Sequence, residues 1–169
     1  MSEIKFIVDA MMGRTARLLR VIGIDTLFYP EIDDARLLAI AKKENRIIIT
    51  RDTAFLIRKN LPPYYYVKAN ETKDQFKEIV KYFNIKFQKD NIFTRCIVCN
   101  GSIDTINKDR IKDKVPEYTY QTIDIFYKCN GCGKIYWQGS HYSKAIDFIE
   151  GLFNESTTRP NHTPSPPPF

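Results

Sequence analysis

The chain has 169 residues, a formal net charge of +6, and 43% hydrophobic and 13% aromatic residues. That length buries one good core, or a core plus a small satellite needing its own staple, and the composition is that of a folded protein. No apolar run approaches a membrane span and the N-terminus lacks the basic-then-apolar pattern of a secretion signal, so the expectation is a soluble, cytoplasmic protein with no membrane partner.

Taken in order, Lys5-Phe6-Ile7-Val8 reads as a strand that runs straight into Asp9. Thr15 to Ile22 then follows a helical pattern, stopped by Gly23. Leu18, Leu19 and Ile22 share one side of that helix, and Arg14, Arg17 and Arg20, three apart, form a stripe roughly opposite. The stripe reads either as a solvated face or as a track for phosphates. Asp25 to Tyr29 is a second strand, ended by Pro30. Glu31-Ile32-Asp33-Asp34 leads into a helix over Ala35 to Lys43, where either aspartate is suited to cap the helix or to bind metal.

Arg46-Ile47-Ile48-Ile49-Thr50 is a β-branched run of the kind buried on both faces of a sheet, and it breaks off at Arg51-Asp52. Asp52 therefore sits at a strand's C-terminal end, as Asp9 does, and has a capping role open to it as well. Thr53 to Lys59 reads as a short helix, Leu61-Pro62-Pro63 breaks it, and Tyr64-Tyr65-Tyr66-Val67 reads as a fourth strand. Phe76, Ile79, Val80 and Phe83 mark an amphipathic helix over Glu71 to Phe83. Strands and helices in strict alternation predict a parallel α/β sheet with right-handed crossovers. Ligands bind such sheets at the C-terminal edge of the strands.

The character changes near Lys86. Cys96-x-x-Cys99 and Cys129-x-x-Cys132 supply four soft ligands, and in a reducing compartment paired motifs of this kind predict a closed structural zinc site rather than disulfides. The 29 residues between the two knuckles exceed a short ribbon and require an inserted hairpin or loop around Val115-Pro116. Replacing Cys129 is expected to unfold the ribbon while leaving the parallel sheet largely intact. After Tyr136-Trp137-Gln138-Gly139-Ser140-His141-Tyr142, Ser140 is suited to cap a last helix bearing Ala145, Phe148, Ile149 and Leu152, expected to pack back on the first domain. His141 reads either as a local packing residue or as a contact to substrate. The predicted boundaries are 1–90 for the sheet domain, 91–140 for the ribbon, 141–153 for the helix and 154–169 for a disordered tail.

Asp9, Asp33 or Asp34, and Asp52 all fall at strand ends or helix starts on one predicted edge. Carboxylates converging without histidine or cysteine favour a hard cation, Mg2+ or Mn2+, and suit phosphodiester hydrolysis. The first 90 residues hold 17 Lys and Arg against 12 Asp and Glu, so the basic surface belongs mainly to the half that carries this edge. A polyanion is the natural partner for such a surface, although moderate positive charge also serves solubility.

Phe6-Ile7-Val8-Asp9-Ala10-Met11-Met12-Gly13-Arg14, Gly23-Ile24-Asp25-Thr26, Thr50-Arg51-Asp52, Arg95-Cys96-x-x-Cys99-Asn100-Gly101 and Tyr136-Trp137-Gln138-Gly139-Ser140-His141 together resemble the Mut-seven C-terminal RNase domain family. The resemblance spans roughly residues 4 to 152. It implies a PIN-like nuclease fold, a parallel sheet flanked by helices, followed by a four-cysteine zinc ribbon and a C-terminal helix. It further implies metal-dependent ribonuclease activity, with Asp9, Asp34 and Asp52 as Mg2+ or Mn2+ ligands and Asp33 as a near neighbour. A fourth acidic position common in PIN-like nucleases has no match after Asp52. RNA, including ribosomal or transfer RNA, is the expected partner, held by Arg14, Arg17, Arg20, Arg51 and His141. Two other readings stay open: a non-cleaving RNA- or ribosome-binding module of the same fold, and a toxin-like nuclease restrained by a partner protein.

Overall fold

The computed structural model of the protein describes residues 4–157. Four short parallel strands, β1 (Lys5–Val8), β2 (Asp25–Phe28), β3 (Ile47–Thr50) and β4 (Tyr64–Tyr66), form a sheet in the order β2-β1-β3-β4. Helices α1 (Gly13–Val21), α2 (Asp34–Glu44) and α3 (Thr72–Tyr82) make the crossovers and the closing layer. The segment after Asp52 is a 3-10 turn over Thr53–Ile57 rather than a full helix.

Side chains alternate across the sheet, and the two faces bury different partners. Phe6, Val8 and Ile49 pack against Met12, Ala16 and Leu19 beside α1, Phe76 and Ile79 of α3, and Ile149 and Leu152 of the last helix. Ile7 and Ile48, on the opposite face, pack against Leu37 and Ala41 of α2 and against Phe55. The result is a sheet covered on both sides, which is why the strands read as unbroken apolar runs. Gly23 closes the turn between α1 and β2 at φ +83, and a Cβ there would lie 2.5 Å from the Asn91 carbonyl oxygen. Only glycine combines that dihedral with that close approach.

The ribbon is a three-stranded antiparallel sheet, β5 (Ile103–Ile106), β6 (Phe126–Cys129) and β7 (Ile135–Trp137), in that order. The long insertion between knuckles is the predicted loop around Val115-Pro116: it joins the antiparallel strands β5 and β6 and holds a 3-10 helix, Lys108–Lys114, and a short helix α4 (Glu117–Thr122). Pro116 is the residue immediately before α4, at its N-cap.

Helix α5 (Ser140–Thr157) begins beside the ribbon, where Tyr142 meets Phe93, and ends along α3, where Phe153 lies 5.7 Å from Phe76 and 5.2 Å from Phe87 between ring centroids. It extends beyond the predicted end at residue 153, and Glu155 pairs with Lys77 of α3. The rest of the predicted disordered tail, 158–169, lies outside the described residues. No helix among the described residues is long and apolar enough to cross a membrane.

Candidate functional site

The C-terminal edge of the parallel sheet gathers the first group of polar side chains. β1 and β3 are adjacent, with Val8 opposite Ile49, and each ends in a carboxylate-bearing segment. The Asp9 N–H donates to the Ile49 carbonyl at 3.0 Å, which continues the pairing one residue past the strand. Thr50, fully buried, joins the two ends: its hydroxyl donates to Asp9 Oδ2 at 2.7 Å and accepts from the Asp52 N–H at 2.9 Å. The sequence marks Thr50 only as part of a strand end. The signal that could have found it is its spacing, two residues before Asp52 and two after Ile48, which puts its side chain on the face Ile48 shares with Ile7.

The remaining acidic residues are held by local partners. Asp33 caps α2, accepting from the Arg36 N–H at 2.8 Å. Asp34, in the first turn of α2, is ion-paired with Arg58. Asp52 caps the turn after β3, accepting from the Ala54 N–H at 2.8 Å. Such caps contribute about 1 kcal/mol each and leave the second carboxylate oxygen open. Among the described residues, no three carboxylates offer ligand atoms within 4.8 Å of one another. Thr50 links the Asp9 carboxylate to the Asp52 backbone N–H, while the Asp52 carboxylate is turned to Ala54 and Asp34 to Arg58. The donor set is all oxygen, which suits a hard divalent cation in its chemistry.

The predicted arginine stripe divides. Arg14 and Arg17 are exposed on α1. Arg20 is a correction: it is 2% exposed, and its guanidinium donates to the carbonyl oxygens of Thr26 at 2.8 Å, Ile97 at 3.1 Å and Val98 at 3.0 Å. It cannot track phosphates. Arg51 is half-buried and donates to Asn70 Oδ1, while its Nε is buried without a hydrogen-bond partner. His141 is exposed in the first turn of α5, at the ribbon end of that helix and away from Asp9.

The second group is the cluster of Cys96, Cys99, Cys129 and Cys132, whose sulfurs all lie within 4.8 Å of one another. Sγ–Sγ separations of 3.6 Å for Cys96–Cys132 and 3.4 Å for Cys99–Cys129 approach the value of about 3.8 Å set by four thiolates at tetrahedral bond lengths to zinc. The Gly101 and Gly131 N–H groups point at Cys99 and Cys129 sulfurs at 3.4 and 3.3 Å. A Cβ at Gly101 would lie 3.0 Å from Cys129 Sγ, so glycine leaves the cradle open. These residues fit a metal such as zinc. Burial opposes ionisation of Cys96, but the Tyr136 hydroxyl, 3.0 Å away, and the Cys99 and Val98 N–H groups outweigh it and lower that thiol to about 6. Burial pushes Cys99 up to about 12. A soft cation taking all four as thiolates displaces the protons that burial would otherwise retain. Tyr136 is a neighbour that the cysteine spacing does not reveal.

The ribbon grips the opposite, N-terminal edge of the parallel sheet. Asn100, directly after the first knuckle, accepts from the Thr26 N–H at 2.9 Å and donates to Asp25 Oδ1 at 2.7 Å. Asp25 is also paired with Arg46 at 2.6 Å, and Arg95 stands 3.6 Å from its other oxygen. Burial alone would raise the Asp25 carboxyl; the hydrogen bonds from Arg46 and Asn100 and the two arginine charges outweigh it and hold the carboxyl below its ordinary value. The sheet and ribbon therefore share a buried polar node, and the first knuckle serves as part of the sheet's floor.

A parallel sheet with two strand-end aspartates and a four-cysteine ribbon clamped under it has relatives among known proteins. The chain is 22% identical to the human protein named exonuclease mut-7 homolog, over 97% of this chain but only 28% of the relative's length. The Mut7-C RNAse domain model matches residues 4–149, from the start of β1 into α5, and the chain belongs to that family.

Proposed function

We propose that this chain is a ribonuclease dependent on Mg2+ or Mn2+, with Asp9 and Asp52 as the core of its site and Asp34 as the third ligand. The observation that carries this reading is the Asp9–Thr50–Asp52 linkage at the sheet's C-terminal edge, in a chain that belongs to an RNase domain family. A divalent cation held there supplies an activated water and offsets charge on the phosphate. The residues of the chain do the rest. Asp9 and Asp52 would hold the cation, with Thr50 bonded to the Asp9 carboxylate and to the Asp52 backbone N–H. Asp34 joins on exchanging its Arg58 partner, which frees Arg58 for the substrate phosphate. Arg14, Arg17 and Arg51 take neighbouring phosphates. The four cysteines hold a structural zinc with no open position, so the ribbon's metal has no part in the chemistry.

The Asp34–Arg58 pairing also supports a second reading, a binding module of the same fold that retains RNA and does not cleave it. The test is Mn2+-dependent cleavage of a labelled RNA by the wild-type chain and by Asp9→Asn and Asp52→Asn, with thermal melts alongside. An amide still caps a helix, so Asp52→Asn is expected to stay folded while hydrolysis falls by orders of magnitude. Full activity in a folded Asp52→Asn chain refutes the carboxylate site. Inactivity of the wild type across several RNAs and metals selects the binding module.

A further inference from the structure

The carboxylate edge carries an exposed aromatic ring that the proposed hydrolysis does not use. Tyr29 follows β2 directly, as Asp9 follows β1, and the last paired residues of those strands are Phe28 and Val8. Neighbouring strands run about 5 Å apart, so the Tyr29 backbone is the lateral neighbour of the Asp9 backbone. The side chains also share a face. Leu27 packs with Ile7 against α2, and Phe28 points the other way, its ring within 2.5 Å of where a Cβ on Gly13 of α1 would stand. Alternation then turns Tyr29 to the α2 side, the side of Asp9, Thr50 and Asp34.

Two features separate Tyr29 from an ordinary surface tyrosine. Tyr29 is 38% exposed, and the Arg36 guanidinium lies over its ring, 5.9 Å from the centroid. Arg36 makes no ion pair among the described residues, whereas Arg58 is tied to Asp34 and Arg51 to Asn70. A ring and an uncommitted guanidinium beside the site present the two groups that hold a nucleotide, a plane for the base and a positive charge for its phosphate.

We propose that Tyr29, backed by Arg36, is a nucleobase-stacking subsite next to Asp9, which selects an unpaired RNA strand over a duplex. The inference rests on the reading of the strand-end carboxylates as the nuclease site and names the substrate class for it. A base inside a duplex already has both faces stacked and its edges paired, so it reaches Tyr29 only after unstacking; a base in a single strand pays no such penalty. Arg36 adds a phosphate contact that either form of RNA can use. Tyr29 is thus the specificity-determining group, and Arg36 the general one.

The test is a titration of 5′-labelled single-stranded RNA and of the matching duplex, without added divalent cation, into the wild-type chain, Tyr29→Phe and Tyr29→Ala. The RNA is checked on a gel afterwards for integrity. Tyr29→Ala is expected to weaken single-strand binding about 5- to 100-fold while duplex binding changes less than about twofold, and Tyr29→Phe is expected to bind as wild type. A series of oligonucleotides with one abasic nucleotide at successive positions supplies the second readout. At one position the missing base should cost the wild type as much as Tyr29→Ala costs, and should cost Tyr29→Ala nothing further. Equal weakening of single strand and duplex by Tyr29→Ala, unchanged single-strand binding, or no single-strand binding by the wild type overturns the proposal. Retained cleavage by Asp52→Asn overturns the underlying site instead, and it is read in a separate assay with metal present.

Discussion

Asn100 is the residue at which the ribbon and the sheet can be pried apart by one substitution. Its side chain supplies the acceptor for the buried Thr26 N–H and a donor to the buried Asp25 carboxylate, at 2.9 and 2.7 Å. In Asn100→Ala the Thr26 N–H is left unsatisfied, at a cost of about 1–3 kcal/mol, and Asp25 loses a charge-assisted bond worth about 1.5–3 kcal/mol. Asn100 also sits at φ 70, where alanine costs about 1–2 kcal/mol more than a residue that tolerates the left-handed region. Allowing for relaxation, the loss is roughly 3–6 kcal/mol, a large share of the 5–15 kcal/mol typical of a domain. For a chain of this size that corresponds to a melting temperature lower by about 10–20 °C. Asn100→Gly removes the same hydrogen bonds without the backbone term, so it should recover about 1–2 kcal/mol of the loss. The assay is thermal unfolding with bound zinc measured on the same samples, together with amide exchange at Thr26. A zinc-loaded Asn100→Ala chain that melts within about 2 °C of wild type would refute the claim that the first knuckle supports the sheet.

Four further outcomes follow from the same geometry. Metal analysis should find zinc near one per chain, and, where the sequence alone predicts a largely intact sheet, a strong chelator should lower the stability of the parallel sheet as well as the ribbon, because Asn100 and the Ile97 and Val98 carbonyls lose their fixed positions; amide exchange confined to the ribbon would count against this. Arg14→Ala and Arg17→Ala should each flatten the salt dependence of RNA binding, by about 0.7 in the log–log slope for every phosphate no longer neutralised, with the melting temperature unchanged. Arg20→Ala should do the reverse: the Thr26, Ile97 and Val98 carbonyls lose their donor, the first of them buried, so stability falls, measured by denaturant unfolding. The depressed Asp25 carboxyl contributes stability that is present above its unfolded value of about 3.9 and is lost as pH falls through its lower folded value. Asp25→Asn should therefore be destabilised most at neutral pH and converge on wild type in acid; parallel pH–stability curves would show that the carboxylate is not the cause.

What the sequence made legible was local. The three isoleucines of β3 carry their burial in their own branching, and paired CxxC spacing carries its chemistry in four residues at a time. The parallel order followed because each strand is too far from the next for a hairpin. The arginine stripe failed for a geometric reason. Residues three apart on a helix step back about 60°, so Arg20 stands about 120° from Arg14 and has wound from the open face into the core. Asp33 and Asp34 are adjacent in sequence and equivalent as carboxylates; only the cap, set by the backbone of α2, separates the residue that holds Arg36 N–H from the one that turns toward Arg58. Asn100 directly follows a knuckle and sits at φ 70, a turn conformation. Its partners lie 74 and 75 positions away, so no local pattern marks them.

The two edges of the sheet consequently serve opposed ends. At the C-terminal edge Asp9 and Asp52 lie just past β1 and β3, where the proposed nuclease site needs room for a substrate. At the N-terminal edge Asp25, Arg46 and Asn100 are buried and bonded to one another, and Arg20 is buried against the Thr26, Ile97 and Val98 carbonyls. β1 runs between them: the Phe6 carbonyl accepts from Arg46 at the N-terminal edge, and Asp9, three residues on, meets Thr50 at the C-terminal one. Any influence of the ribbon on the carboxylates must pass along such a strand. It follows that a substitution at Asn100 should alter the carboxylate edge only to the extent that it loosens β1 and β2.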